Sequence, residues 1–136
     1  MKAVVVDSNA PGKLTLQEVA DPTPQRGEAV VKVHAISLNR GEVRGALGGP
    51  DGARPGWDIG GVVEQAAADG SGPKVGTRVV GILGRGAWAQ RVAVPGNQLG
   101  VLPDNISFEQ ASTLPVAGLR PIRLRSVRIL IGLFRK

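Results

Sequence analysis

The chain has 136 residues, of which 42% are hydrophobic and 21% charged, a composition typical of a single globular domain. The lack of cysteine excludes disulfides, thiolate nucleophiles and cysteine-bound zinc, and no apolar run reaches the roughly 18 residues of a membrane-spanning helix. The apolar run at the N-terminus ends at Asp7, too soon for a signal peptide, so we expect a cytoplasmic protein.

The net charge of +6 is concentrated at one end of the chain. Residues 120–136 contain six basic side chains and no acidic one, so residues 1–119 are neutral overall. We therefore predict two units, a domain over residues 1–119 and an atypical basic tail over residues 120–136. Such a tail can attract nucleic acid or an anionic membrane, but its charge gives no information about the function of the domain.

The 20 glycines and 10 prolines favour short strands joined by turns over a helical bundle. Strands are predicted over residues 2–6, 13–19, 28–37, 59–66, 77–83, 87–94 and 98–102. In the third strand we expect Val31 and Val33 on one face and Val30 and Lys32 on the other. Strand spacings of roughly 8–12 residues with glycine-rich corners indicate a small barrel or sandwich.

Two short helices are also predicted. Residues 38–47 can hold one of them, and the pattern Ser107-x-x-Gln110 predicts a capped helix that begins near Phe108. The sequence Gly84-x-Gly86-x-x-Ala89 matches a dinucleotide-binding motif, but a strand-like segment follows where that site requires a helix. We therefore predict that residues 84–86 form the turn of a hairpin.

Five stretches carry a family resemblance: MKAVVV, EAVVKVHAISLNRGE, PGWDIGGVV, VGTRVVG with GAWAQRVAVP, and LPDNISFEQASTLPVAG. In this order they resemble the N-terminal, GroES-like catalytic domain of the medium-chain dehydrogenase/reductases, and in particular the zinc-independent, quinone oxidoreductase-like branch. The resemblance spans residues 1–119. It implies a mainly β fold, a GroES-like, partly open β-barrel with short helices and no complete Rossmann domain.

The resemblance implies the substrate-side domain of an NADP(H)-dependent, alcohol dehydrogenase-like oxidoreductase that reduces a quinone, an enone or a small carbonyl compound. Family members continue into a Rossmann domain that binds NADPH, and one βαβ crossover alone needs about 30 residues. Arg120 and Pro121 stand where the family usually has Thr-Ala. We therefore expect a truncated family member that binds no cofactor tightly and is inactive alone, with a tail that is read out of frame or otherwise spliced on.

Three residues are candidates for the site. The resemblance places Asn39 beside the nicotinamide and the substrate, where its amide can donate to a carbonyl or hold the carboxamide; alternatively, Asn39 only caps a helix. Glu42 can orient Asn39 or carry a proton path, or it can face the helix dipole as a first-turn carboxylate. Trp57 can form a wall of the pocket or belong to the core.

No metal site is predicted. By the resemblance, the cysteine and histidine that hold catalytic zinc in zinc-dependent members correspond to Asn39 and Trp57, and neither an amide nor an indole is a usual zinc ligand. Asp58, followed by Gly60 and Gly61, fits a bend where backbones approach closely. His34, the single histidine, is expected at the surface of a strand rather than as a general base.

Two other classes of function remain open. A non-catalytic GroES-like barrel shares the fold, but such a protein needs a mobile loop with an apolar anchor. In the candidate loop, residues 45–56, the only such anchors are Ala46 and Leu47. The tail can bind a membrane or nucleic acid through charge, although Phe134 is its only aromatic residue. We expect a small carbonyl or quinone as the partner, with no specific nucleic acid and no membrane.

Overall fold

A computed structural model describes residues 1–119, and the predicted basic tail lies outside the described residues. The described part consists of short strands and helices, as predicted. The strands are β1 (Lys2–Val6), β2 (Leu14–Glu18), β3 (Glu28–Ile36), β4 (Asp58–Gln65), β5 (Arg78–Ile82), β6 (Arg91–Pro95) and β7 (Leu99–Val101). The α-helices are α1 (Arg40–Leu47), α2 (Phe108–Ser112) and α3 (Leu114–Leu119), and short 3-10 turns cover Pro11–Lys13 and Gly96–Gln98.

The strands form a curled, half-barrel sheet with an attached ribbon. The main sheet has the order β6-β3-β4-β5-β7 with antiparallel neighbours, and β1 pairs with β2 in a two-stranded ribbon. This confirms the predicted mainly β, GroES-like fold, and residues 1–119 contain no Rossmann domain. Within residues 1–119, none of the helices combines the length and the apolar character that a membrane crossing needs.

The core lies against the central strands of the main sheet. Branched aliphatic side chains suit this position because they pack well on a pleated surface. Those with at most 1% of their surface exposed are Val31, Ile59, Val63, Val79 and Val94. Val30 and Val31 are both buried, and the pairing of β3 with β4 shifts register between these two residues.

The predicted hairpin of residues 77–83 and 87–94 is wrong. Strand β5 pairs with β4 and β7, whereas β6 pairs with β3 on the other side of the sheet. The connection between them instead follows residues 55–57, with Leu83 N–H donating to the Trp57 carbonyl at 2.7 Å and Trp88 N–H to that of Pro55 at 3.2 Å. This path buries Trp88 against Val6 and Ala46. The burial of a large indole favours this path over a tight turn between β5 and β6. As expected, the element that comes next after Gly86 is a strand, β6.

Helix α2 begins at the predicted capping box and packs on the sheet. Ser107 Oγ accepts from Gln110 N–H at 3.2 Å, and Gln110 Oε1 accepts from Ser107 N–H at 3.1 Å. The Phe108 ring stacks on exposed His34, with 4.8 Å between ring centroids, and Arg78 lies 4.7 Å from the centroid of the same ring. Gly60 allows the close approach, since a Cβ there would stand 2.7 Å from the Phe108 carbonyl oxygen.

We predict that Gly60→Ala lowers the free energy of unfolding by about 1–3 kcal/mol, because the new methyl group meets backbone atoms of α2. Gly45→Ala is the matched control: nothing lies within 4 Å of its added Cβ in α1, so it should stabilise the protein by about 0.5–1 kcal/mol. Urea denaturation followed by circular dichroism measures both. A Gly60→Ala chain as stable as the parent would contradict this packing.

Candidate functional site

The candidate site lies where β3 ends, α1 begins and β4 starts. Because β3 and β4 are antiparallel with Ile36 opposite Ile59, Ser37 comes to lie opposite Asp58. Asn39 is the N-cap residue of α1, and Glu42 lies in the first turn of that helix. The topology therefore brings polar side chains from a strand end, a helix start and a strand start to one place.

Asp58 is a completely buried carboxylate, with 0% of its surface exposed. Its Oδ2 accepts from the Ser37 hydroxyl at 2.6 Å and from the Asn39 side-chain amide at 2.8 Å. Its Oδ1 accepts from the backbone N–H of Val116 in α3 at 3.1 Å. Among the described residues no cationic group lies within salt-bridge distance, so neutral donors alone compensate its burial.

Glu42 is the second buried carboxylate, with 3% of its surface exposed. Its Oε2 accepts from the backbone N–H of Asn39 at 2.9 Å and from the Asn39 side-chain amide. Its Oε1 accepts from the backbone N–H of Trp57 at 3.1 Å. Glu42 thus contacts both other predicted site residues, and it does so from the first helical turn, where a carboxylate is favoured by the helix dipole.

Asn39 joins the two carboxylates. An ionised carboxylate only accepts hydrogen bonds, so the NH₂ group of the amide must face Glu42 and Asp58, and both of its hydrogens are used there. The amide therefore has no free hydrogen for the expected hydrogen bond to a substrate carbonyl. Asn39 also forms the capping box of α1 with Glu42, which is the helix-cap alternative of the sequence analysis. The half-buried residue lines an open groove of about 440 Å³ along α1.

Trp57 lies on a different cavity from Asn39. Its half-buried side chain lines a cavity of about 240 Å³ together with Glu42, Arg54 and Arg85. The buried tryptophan of the core is Trp88, with 5% of its surface exposed. The network thus fixes two neighbouring surfaces, one presenting Asn39 and the other presenting the Trp57 side chain.

Sequence analysis missed two members of this network. Asp58 was expected to form a bend, and Ser37 was not singled out. The register of β3 against β4 was the missing signal, because it decides which residues at the strand ends face each other. The one histidine, His34 of β3, stacks on Phe108 of α2 and lies outside the network. Within the described part of the chain no three potential metal-ligating side chains come together.

We predict that Asn39→Asp lowers the free energy of unfolding by about 2–4 kcal/mol, because it replaces the shared donor by a third carboxylate. The control is Asn97→Asp, which makes the same charge change at an exposed residue and should cost less than about 0.5 kcal/mol. Thermal and urea unfolding compare the two. Equal losses would show that the amide does not hold the two carboxylates.

Comparison with known protein families places this site in context. Residues 25–104 match the alcohol dehydrogenase GroES-like domain family. These residues include the whole candidate site, from Ser37 to Asp58.

The chain is also similar to longer curated proteins. It is 32% identical over 122 residues to the mouse synaptic vesicle membrane protein VAT-1 homolog-like, covering 85% of this chain and 29% of that protein. It is 34% identical over 131 residues to the chloroplastic quinone-oxidoreductase QR1 of Triphysaria versicolor, covering 88% of this chain and 40% of that protein. The trans-enoyl reductase BOA5 of Botryotinia fuckeliana is 36% identical over 124 residues, covering 85% and 32%. The chain therefore spans less than half the length of these relatives.

Solved structures share the fold over the described domain. The quinone oxidoreductase from Coxiella burnetii is 29% identical with a TM-score of 0.78, covering 88% of this chain and 42% of that one. A mycobacterial protein complexed with NADPH is 28% identical with a TM-score of 0.79, covering 93% and 42%. Together with the match over residues 25–104, these similarities show that the chain belongs to the alcohol dehydrogenase GroES-like domain family, within the medium-chain dehydrogenase/reductase superfamily.

Proposed function

We propose that residues 1–119 form the substrate-side wall of an NADP(H)-dependent oxidoreductase that reduces a quinone, an enone or another small carbonyl compound. The similarity to quinone oxidoreductases and to a trans-enoyl reductase supports the reaction class. The observation that carries the proposal is the buried network in which Glu42 and Asp58 both bond to the Asn39 side-chain amide and hold it at a fixed position beside an open groove.

In this proposal Asn39 acts as an acceptor. Its Oδ1 can accept a hydrogen bond from an N–H or O–H of a ligand, including the carboxamide of a nicotinamide. Glu42 and Asp58 are positioning residues in this proposal, because both hold the amide through its nitrogen. A fixed acceptor of this kind orients a ligand without changing its own charge.

The proposed reaction uses no zinc. Asn39 and Trp57 stand where the resemblance places a cysteine and a histidine ligand, and the structure engages the amide nitrogen of one and the backbone N–H of the other in hydrogen bonds to Glu42. Neither side chain offers a usual zinc-binding atom. Polarisation of the carbonyl substrate would then depend on hydrogen-bond donors around it.

In this proposal residues 1–119 contact only the nicotinamide end of NADPH. A pyrophosphate site needs a strand, a glycine-rich turn and a helix, whereas residues 84–86 connect towards β6. When bound, the cofactor would supply the hydride, and the protein would supply orientation and exclusion of water. We infer that the 136-residue chain does not catalyse the reaction by itself, since residues 1–119 provide no site that binds the cofactor tightly.

We predict that the parent chain consumes no NADPH above the protein-free rate with a quinone or an enone. A chimaera of residues 1–119 with the nucleotide-binding part of the Coxiella burnetii quinone oxidoreductase should reduce the quinone. In that chimaera Asn39→Ser should lower kcat/KM by about tenfold or more, because the positioned acceptor is lost, whereas Asn97→Ser should leave it unchanged.

Two results would contradict the proposal. Turnover by the parent chain would overturn its inactivity, and a folded, NADPH-binding chimaera that reduces neither quinone nor enone would overturn the reaction class.

A further inference from the structure

Two arginine side chains lie on the cavity beside Trp57 without an acidic partner. Arg54 precedes Trp57 in the loop before β4, and Arg85 lies in the connection after β5. The backbone bonds from Leu83 to Trp57 and from Ala87 to Gly56 hold these two segments side by side. Among residues 1–119, neither guanidinium has a carboxylate oxygen within salt-bridge distance or donates a hydrogen bond to another residue.

The fold compensates its other half-buried arginines. Arg91 pairs with Glu64 at 2.7 Å and lies 3.7 Å from Asp21. Arg78 donates to the backbone carbonyls of Pro103 at 2.9 Å and Ile106 at 2.6 Å. Arg54 is half-buried as well, yet its Nε is fully buried without any acceptor. A buried donor in this state is unusual in a native protein and points to a partner that the described residues do not supply.

The space around the arginines suits a small molecule. Arg54 and Arg85 line the cavity of about 240 Å³ with Trp57, and they also line an adjoining cavity of about 400 Å³. Apolar walls from Leu83, Val92 and Ala93 complete the larger one. Small-molecule sites typically combine a mainly apolar cavity of roughly 300–1,000 Å³ with a few fixed polar groups.

The charge around this space is positive. Glu42 is the acidic residue on the smaller cavity, and both of its oxygens already accept hydrogen bonds from Asn39 and Trp57. No acidic side chain of residues 1–119 lines the larger cavity, which Arg91 also borders. Guanidinium groups bind carboxylate and phosphate through paired N–H donors, so the ligand chemistry that fits is an oxyanion.

We propose that Arg54 and Arg85 form an oxyanion-binding site that holds a carboxylate or phosphate group of the small molecule reduced beside Trp57. The role of this molecule as substrate rests on the proposed function, whereas the binding of the anion does not. The proposed substrate class is thereby narrowed to quinones, enones or carbonyl compounds that carry a negative charge at one end.

The test is a titration of the full 136-residue, isotope-labelled chain with inorganic phosphate and, separately, with succinate at constant ionic strength. Backbone and arginine side-chain N–H signals are followed by NMR, without NADPH. The parent should show saturable shifts at Arg54, Arg85 and the Trp57 indole. Arg54→Gln with Arg85→Gln should weaken this binding by about tenfold or more, as expected for the loss of two charge-assisted contacts.

The matched control is Arg26→Gln with Lys74→Gln. It removes the same charge from two exposed residues without ion pairs among residues 1–119, and it should bind within about twofold of the parent. The basic tail is present in every variant, so its contribution cancels. The single variant Arg85→Gln, at an exposed position, should weaken binding severalfold without disturbing the fold.

Equal weakening in both double variants, or shifts that never saturate, would overturn the oxyanion site. Tighter binding of phosphate than of succinate would identify a phosphate-bearing ligand, and the reverse order a carboxylate-bearing one. Because no turnover is measured, the site can fail while the chimaera reduces quinones. Conversely, the anion can bind while the reaction class fails.

Discussion

The sharing of one side-chain amide by two buried carboxylates organises this domain. Glu42 and Asp58 have almost no contact with water, and no arginine or lysine among the described residues compensates them. Carboxylates in this position need several hydrogen-bond donors. Asn39 supplies the side-chain N–H groups for both, and backbone N–H groups of Asn39, Trp57 and Val116 supply others. The network therefore ties α1, β4 and α3 together.

On the cavity beside Trp57, acidic and basic side chains of residues 1–119 line the same space without forming an ion pair. Arg54 and Arg85 share a cavity with Glu42, yet the carboxylate bonds to neutral N–H groups and the guanidinium groups keep their charge unpaired. The same chain nevertheless satisfies Arg78 and Arg91 locally. Among the described residues, the half-buried arginine that lacks a partner, Arg54, thus lies on the cavity next to Trp57, where a ligand can supply one.

The connection between β5 and β6 contributes both to the core and to the lining of this cavity. It carries Arg85 and runs along residues 55–57, so the segment that buries Trp88 in the core also brings Arg85 beside Arg54. A tight hairpin would have placed β6 next to β5 and would have left Arg85 at a loop tip. The burial of one large indole therefore determines the position of a charged residue several positions away.

Local patterns in the sequence determined most of the elements, the capped start of α2, the helix after Asn39 and the family resemblance. Such features depend on near neighbours in the chain, as in the Ser107 and Gln110 capping box. Only the tertiary structure decided which strands pair, that Ser37 faces Asp58, and that the Asn39 amide points its nitrogen inward. These outcomes depend on register and on long-range burial, and composition and spacing do not encode either of them uniquely.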